Sequence, residues 1–555
     1  MKSGDGQNVL TPLFSSPARR SARADFLAVH LPCSTFHLSL FNFPMLSKCY
    51  SGALCGVDAR TVEIEVCSTS GSPQFTIVGL PDQAVKEAKD RVSTAIGNSG
   101  FKRVESNVTV NLAPADVKKE GPLYDLPIAT ALLVATGRIS CADLSSYGLA
   151  GELALSGEVR RVNGILPIVL EMRRIGKRGV VVPCGNAAEA AVVDGIDVYP
   201  VRTLREAVDF MAGRLGIEPV RSDLASLVAA QVDGGDDFAD VKGQEIARRA
   251  IEVAVAGGHN LLMVGTPGSG KTMLARRIPS ILPPITPAEA LEVTRIHSVA
   301  GELKARSGLV LRRPFRAPHH TVSSIGLLGG GTHPMPGEVS LAHRGVLFLD
   351  ELPEFRRDAL EVLRQPVEDG HVCISRAAGT CDFPSRFMFV AAMNPCPCGY
   401  AGDPKRECRC SSRKVMEYRN RVSGPLLDRI DIQVEVPPVP CEQLADLPPG
   451  EASSAIRERI VRAREMQNRR FEGMEGIRCN AEIPSRDLMD VCRLDASAQA
   501  RLRSTLLELD LSARAFDRVL RVSRTIADLA GADVVSQEHI LEASTYRTLD
   551  RSYWS

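Results

Sequence analysis

Short apolar runs, cut by glycine-containing polar stretches, mark the middle of this chain. Residues 261–264 are four apolar residues in a row, 346–349 are four more, and 387–393 are seven. Runs of that length without alternation predict strands buried on both faces, as in a parallel sheet. Ile432-Gln433-Val434-Glu435-Val436 predicts a further strand. Residues 245–256 and the segment from Met273 predict helices. A helical pattern opened by Ser512-Ala513-Arg514 continues through Arg518, Leu520, Val522, Ile526 and Leu529. The N-terminal third has its own pattern: alternation over 61–66, strands over 74–79 and 108–112, an amphipathic helix over 84–96 and an apolar helix over 126–136. Residues 1–44, rich in Ser, Pro and Arg, lack a sustained pattern. They read as a disordered leader or an overextended start, with Met45 as the functional beginning.

The ends of the apolar runs carry the chemistry. After residues 261–264 come Gly265, Thr266, Pro267, Gly268, Ser269, Gly270, Lys271 and Thr272, which fit G-x-x-x-x-G-K-[ST] between a strand and a helix. Glycines let backbone N–H groups approach phosphate oxygens, and the helix N-terminus adds partial positive charge. Lys271 would neutralise the β- and γ-phosphates of ATP, and the Thr272 hydroxyl would ligate Mg²⁺. Asp350 and Glu351 close the run 346–349, at the strand end where open α/β sheets place their chemistry. Asp350 is the second candidate for Mg²⁺, and Glu351 the candidate that polarises the attacking water. Asn394, at the end of 387–393, is the candidate sensor of the γ-phosphate. Arg429 is read as a finger reaching a neighbouring subunit's nucleotide, with Arg421 as the alternative. Arg514 is read as contacting the γ-phosphate from a helical lid.

Cys396, Cys398, Cys408 and Cys410 form C-x-C-x₉-C-x-C. Four thiolates complete a tetrahedral Zn²⁺ shell and leave no open ligand position, so the role expected is structural. Free or redox-active thiols are the competing reading.

Hydrophobic content of 44% with 24% charged residues is globular, and 555 residues accommodate three or four domains. Net charge is +1, so any DNA contact must come from local patches. No apolar run approaches the roughly 20 residues a membrane-spanning helix needs. Fifteen cysteines in so long a chain, with an ATP motif, point to the reducing cytoplasm and not to a secreted disulfide scaffold.

Residues 118–129 (KKEGPLYDLPIA) and 157–167 (GEVRRVNGILP) resemble the proteolytic domain of Lon-type proteases. That resemblance implies an α+β fold and a Ser–Lys dyad, but Leu123 stands in the serine position and Leu166 in the lysine position. An apolar side chain neither attacks a carbonyl nor accepts a proton, so peptidase activity is not expected.

The order of regions, with Ile77-Val-Gly-Leu-Pro-Asp82, Arg313-Pro-Phe-Arg-Ala-Pro-His-His320, Pro336-Gly-Glu-Val-Ser-Leu-Ala-His343 and Ala392-Met-Asn-Pro-Cys-Pro-Cys-Gly399, resembles the magnesium-chelatase-like AAA+ ATPases of the ComM/YifB group over about 45–549. The resemblance implies an α/β AAA+ core with a parallel sheet and a C-terminal helical lid, preceded by the Lon-like domain. The expected divisions are 1–44 leader, 45–215 Lon-like domain, 216–237 linker, 238–440 AAA+ core with the cysteine insertion, and 441–555 lid. It further implies a homo-hexameric, ATP-driven DNA helicase that promotes branch migration in recombination, notably in natural transformation. In related motors, hairpins at the places of 312–331 and 370–377 face the pore. Arg312, Arg313, Arg316 and Arg376 are therefore the candidate DNA-backbone contacts, with inter-subunit ion pairing as the competing reading. A chelatase-type motor driving metal insertion into a porphyrin is the alternative function.

Overall fold

The computed structural model describes residues 45–554 apart from 142, 230–234, 304–307, 332–333, 377–378, 404, 440–446, 475 and 510–511; the leader expected at 1–44 lies outside the described residues. Strands β1 (Met45–Cys55) and β2 (Asp58–Thr69) form a long antiparallel ribbon, Met45 opposite Ser68 and Cys55 opposite Asp58. With β3 (Gln74–Val78), β4 (Asn107–Ala113), β5 (Tyr147–Leu149), β6 (Gly179–Pro183) and β7 (Asp197–Val201), they make a mixed seven-stranded sheet in the order β3-β4-β2-β1-β5-β6-β7. Val62, Ile64 and Val66 of β2 are buried, while their alternating neighbours are only partly covered. That difference produces the period-two pattern in the sequence. The helix expected over 84–96 is broken at Glu87, into a single turn Gln83–Lys86 and α1 (Ala88–Asn98). Helix α2 (Asp125–Ala135) is buried almost all round, which explains its lack of a polar face. Helix α3 (Ile165–Arg174) packs with α2 on the β1–β2 ribbon.

The second sheet is built from β8 (Leu261–Val264), β9 (Phe315–Arg316), β10 (Val346–Leu349), β13 (Met388–Met393) and β14 (Ile432–Glu435), all parallel, in the order β9-β10-β13-β8-β14. Between β10 and β13 the chain forms the hairpin β11 (His371–Arg376) and β12 (Gly379–Pro384). Alternate residues of one strand enter different apolar clusters. Leu261, Met263, Phe348 and Val390 join one, and Leu262, Val264, Leu349 and Phe389 join the other. Both faces are covered, so the strands read as unbroken apolar runs.

Helices α4 (Glu245–Gly257) and α5 (Lys271–Ile281) flank β8, and α6 (Pro287–Ala300) follows. Helices α7 (Ser453–Arg470) and α8 (Ala513–Leu529) pack against α4, with Val519, Leu520, Val522 and Ile526 buried on the α8 face that the sequence pattern marks. Gly164, at the start of α3, donates its N–H to the Ser298 carbonyl of α6 (3.0 Å), and Arg295 of α6 pairs with Asp58. The first sheet's helices therefore contact the nucleotide-motif region through α6. No helix among the described residues is long and apolar enough to cross a membrane.

Candidate nucleotide site and cysteine cluster

The phosphate-loop sequence leaves the end of β8 and turns directly into α5. Its glycines answer two different constraints. A Cβ on Gly265 would sit 2.3 Å from the Val436 carbonyl, so no side chain fits. Gly268 (φ 78°) and Gly270 (φ 93°) lie in the left-handed region that only glycine enters freely. The Ser269 N–H donates to the Thr266 carbonyl (3.2 Å), closing the loop.

Lys271 folds back across this loop and is 7% exposed. Its Nζ donates to the carbonyls of Gly265 (2.7 Å) and Thr266 (2.9 Å), and lies 3.2 Å from Asn394 Oδ1. Burial lowers the ammonium pKa from its ordinary value, and the nearby Asp350 and Glu351 carboxylates act against that shift. The parallel pairing of β8 with β13 puts Val264 opposite Met393, so Lys271 and Asn394 meet although 123 residues separate them. Thr272 Oγ1 donates to Asp350 Oδ2 (2.5 Å). A hydroxyl and a carboxylate converging at a phosphate loop are hard oxygen donors of the kind that suit Mg²⁺. Glu351 follows with φ 54°, a strained conformation for a non-glycine residue. Its N–H donates to Asp350 Oδ1 (2.9 Å), and its carboxylate lies 3.6 Å from His320 Nδ1.

His320 is a neighbour that the sequence reading did not assign to this site, because nothing in an isolated His-His pair marks one. Gln244 is another. Its Nε2 donates to the Ser269 carbonyl (3.2 Å), so the segment before α4 lies against the phosphate loop.

Arg429 and Arg514 lie elsewhere. Residue 261 pairs with 432 and 264 with 435, so Arg429 precedes β14 at the end of the sheet opposite the phosphate loop. The length of a four-residue strand, about 10 Å, separates the two ends. Arg429 Nη1 donates to the Pro425 carbonyl (2.7 Å), and Nη2 pairs with Glu368. Arg514 sits beside it, 3.4 Å from Asp428. The expected position of Arg514 over a γ-phosphate is therefore corrected within one chain: the lid places it with Arg429 and away from Lys271. Arg421 is held by Glu354 (3.0 Å) and the Pro353 carbonyl (3.3 Å).

Two of the four candidate DNA arginines are engaged within their own chain. Arg313 donates to the carbonyls of Pro283 (2.7 Å), Arg344 (2.8 Å) and Pro284 (3.1 Å) and to Glu289 (2.8 Å). Arg316 is bidentate to Glu338 (2.6 and 2.8 Å) and reaches Glu302 (2.9 Å). Both guanidinium groups brace their own chain. Arg312 is exposed on the loop before β9. Arg376 ends β11, and its side chain lies outside the described residues.

The Sγ atoms of Cys396, Cys398, Cys408 and Cys410 all lie within 4.8 Å of one another. Three separations are 3.3 Å (396–398), 3.6 Å (396–408) and 3.6 Å (398–408). Zn–S bonds of about 2.3 Å at tetrahedral angles require S···S spacings near 3.8 Å, so the thiols are gathered at the right scale. In the first sheet's region, Leu123 and Leu166 are 5% and 0% exposed, and the Lys119 amine is turned to the Pro114 carbonyl. Both positions that the resemblance matches to the Lon dyad lie in the core.

Comparison with known proteins covers the same regions in succession. The family model "Subunit ChlI of Mg-chelatase" matches residues 64–186, "Magnesium chelatase, subunit ChlI" matches 237–444, and "Magnesium chelatase, subunit ChlI C-terminal" matches 450–547. The competence protein ComM of Haemophilus influenzae is 44% identical over 511 residues, 91% of this chain and 98% of that protein. YifB of Salmonella typhimurium is 43% identical over 509 residues, again 91% and 98%. Lon protease 2 of Bacillus subtilis is 22% identical over 163 residues, 27% of this chain and 29% of that protein. With a phosphate loop, a carboxylate pair and a strand-end Asn on one edge of a parallel sheet, and likeness to these relatives over nine-tenths of its length, the chain belongs to the magnesium-chelatase-like AAA+ ATPases of the ComM/YifB group.

Proposed function

We propose that this protein is a cytoplasmic, ATP-hydrolysing motor that works on DNA as a homo-hexameric ring, a helicase or translocase promoting branch migration in recombination or natural transformation. One observation carries the hydrolytic part: Lys271, Thr272, Asp350, Glu351 and Asn394 converge on one edge of the sheet, while Arg429 and Arg514 lie at the other. A complete site then needs two chains, which a ring supplies. The DNA part rests on the competence role named for the relative from Haemophilus influenzae.

Held by Thr272 and Asp350, Mg²⁺ would screen charge on the phosphate oxygens. The Lys271 amine exchanges its carbonyl contacts for phosphate oxygens, and Asn394 keeps it aligned. Glu351 accepts a proton from the attacking water, with His320 beside its carboxylate. A neighbouring chain's Arg429 offsets charge that grows in the transition state, after giving up Glu368. Arg312 and Arg376 remain the candidate DNA-backbone contacts. Cys396, Cys398, Cys408 and Cys410 hold structural Zn²⁺ in this reading.

A second reading, a chelatase-type motor driving metal insertion into a porphyrin, is favoured by the magnesium-chelatase matches. The deciding assay measures phosphate release with single-stranded, duplex and branched DNA, alongside strand displacement. DNA should stimulate turnover, and Lys271→Ala should cut turnover by about 10²–10³-fold and abolish displacement. Turnover indifferent to every DNA but stimulated by a chelatase partner would reverse the choice.

A further inference from the structure

The cysteine loop touches the phosphate loop directly. Gly399, between Cys398 and Cys408, has φ 85°, and a Cβ there would stand 2.5 Å from Pro267 Cγ and 2.6 Å from Cδ. Pro267 is the third residue of the phosphate-loop motif, so the two loops pack with no room for a methyl group. The same loop begins two residues after Asn394, whose side chain lies against Lys271. Cys396 is fully buried and accepts the Ala401 N–H (3.3 Å), which turns the loop back towards the sheet.

The opposite flank of the strand tip is also held. Tyr553 Oη donates to the Asn394 carbonyl (3.4 Å). Arg419 lies 3.4 Å from the centre of the Tyr553 ring and donates to the carbonyls of Tyr553 (2.8 Å) and Pro395 (3.4 Å). The Asn394–Pro395 turn is thus clamped between an Arg–Tyr stack and the four-thiol loop. Among the described residues of that loop, with left-handed glycines at 399 and 402, the hydrogen bonds are local ones such as Asp403 N–H to the Tyr400 carbonyl (3.1 Å), and a metal cross-link would add to them.

We infer that a tetrathiolate zinc site at Cys396, Cys398, Cys408 and Cys410 braces the phosphate loop through the Gly399–Pro267 contact, so that metal occupancy sets nucleotide affinity. This inference rests on the reading that these thiols hold metal. Coupling between two adjacent sites commonly amounts to about 5–150-fold in affinity.

The test uses the full-length protein, with three readouts: zinc per chain by elemental analysis, binding of a fluorescent ADP analogue, and circular dichroism to confirm folding. One zinc per chain is expected. Titrating the thiols with a mercurial in the presence of a zinc-binding dye should release it and weaken ADP-analogue binding about tenfold. Gly399→Ala should keep its zinc yet weaken binding to a similar degree. Because Pro267 belongs to the phosphate loop itself, the contact is isolated by a double-mutant cycle: Gly399→Ala should weaken binding less in a Pro267→Ala background, which lacks the ring atoms the new methyl would meet, than in the parent. Absence of metal from protein purified without chelators and reconstituted with zinc would overturn the metal reading itself. Zinc release, or Gly399→Ala, with undiminished affinity would overturn the coupling while leaving the metal site standing. An equal loss from Gly399→Ala in the parent and in the Pro267→Ala background would overturn the contact as its route.

Discussion

At positions 123 and 166 the first sheet's region holds leucines that are 5% and 0% exposed; at 271 and 394, beside the parallel sheet, a lysine that is 7% exposed turns its amine to an amide. In the first region, the two positions that the Lon resemblance matches to the dyad belong to the core. The second keeps a buried cation against carbonyls and an amide, although burial disfavours its charge. A fold kept only for packing fills such sites with apolar atoms, whereas a fold that must meet phosphate keeps polar groups there despite the desolvation cost. The parallel sheet should therefore be sensitive in turnover and the first region sensitive in stability.

The largest separation between the regions should come from Arg429. Arg429→Ala should lower ATP turnover by about 10³–10⁵-fold with ATP binding retained, since a finger acts mainly in the transition state. Complementation sharpens the point. Mixed in equal amounts with Lys271→Ala chains before ring assembly, the Arg429→Ala protein should regain activity at roughly one site in four if each site joins two chains head to tail. Two inactive parents that stay inactive when mixed, in rings shown to contain both, would place the finger in its own chain and contradict the opposite-edge geometry.

Glu351→Gln should come next, keeping ATP binding and slowing hydrolysis by about 10²–10⁴-fold. Rapid-quench measurement of bound ATP separates the two steps. Turnover within a factor of about three of the parent would remove Glu351 from the chemistry and leave its strained backbone without a functional reason.

The parallel sheet was legible because burial on both faces writes an unbroken apolar run, and because the phosphate loop needs a fixed spacing. The strand ends at Asp350 and Asn394 followed from the same runs. What was not legible depends on partners distant in sequence. Arg313 and Arg316 look like a basic patch in one dimension, yet Glu289, Glu302 and Glu338 take up their charge in three. Arg514 follows a helix start correctly read from Ser512, which accepts the Ala515 N–H (3.3 Å). The packing of α8 on α4, which turns that start to the sheet's far end, has no local signature. The break at Glu87 was hidden because the apolar spacing of residues 84–96 continues through it. In the cysteine loop the C-x-C spacing showed the thiols, but the contact between Gly399 and Pro267 joins segments 132 residues apart.

For the first region the measure is stability. Leu123→Ala should cost about 2–5 kcal/mol, the range for emptying a buried leucine, and leave ATP turnover per folded chain near the parent's. Hydrogen exchange of the α2 amides, read beside phosphate release, tests both halves. Turnover falling with no loss of protection would mean that position 123 still communicates with the nucleotide site, and the contrast between the regions would fail.

The smallest effect probes one of the buried charged groups of the first region, Asp125. Its side chain is fully buried at the start of α2 and paired with Arg91 (2.7 and 2.9 Å), with the Leu153 N–H at 3.2 Å. Burial outweighs these partners and pushes the carboxyl from 3.8 up to about 6. A raised folded-state pKa means that the folded chain holds this proton more tightly than the unfolded one. The contribution to stability is full below pH 3.8, falls as pH rises from there, and is lost above about 6. The slope is about 1.4 kcal/mol per pH unit, so the whole descent amounts to roughly 3 kcal/mol. Asp125→Asn cannot ionise and should lack it. The protection of α2 amides in the parent, relative to that in the variant, should therefore drop between pH 4 and 7. A difference that stays constant across that range would mean that Arg91 compensates the buried charge completely, and that this region too can keep an ionised group inside without loss.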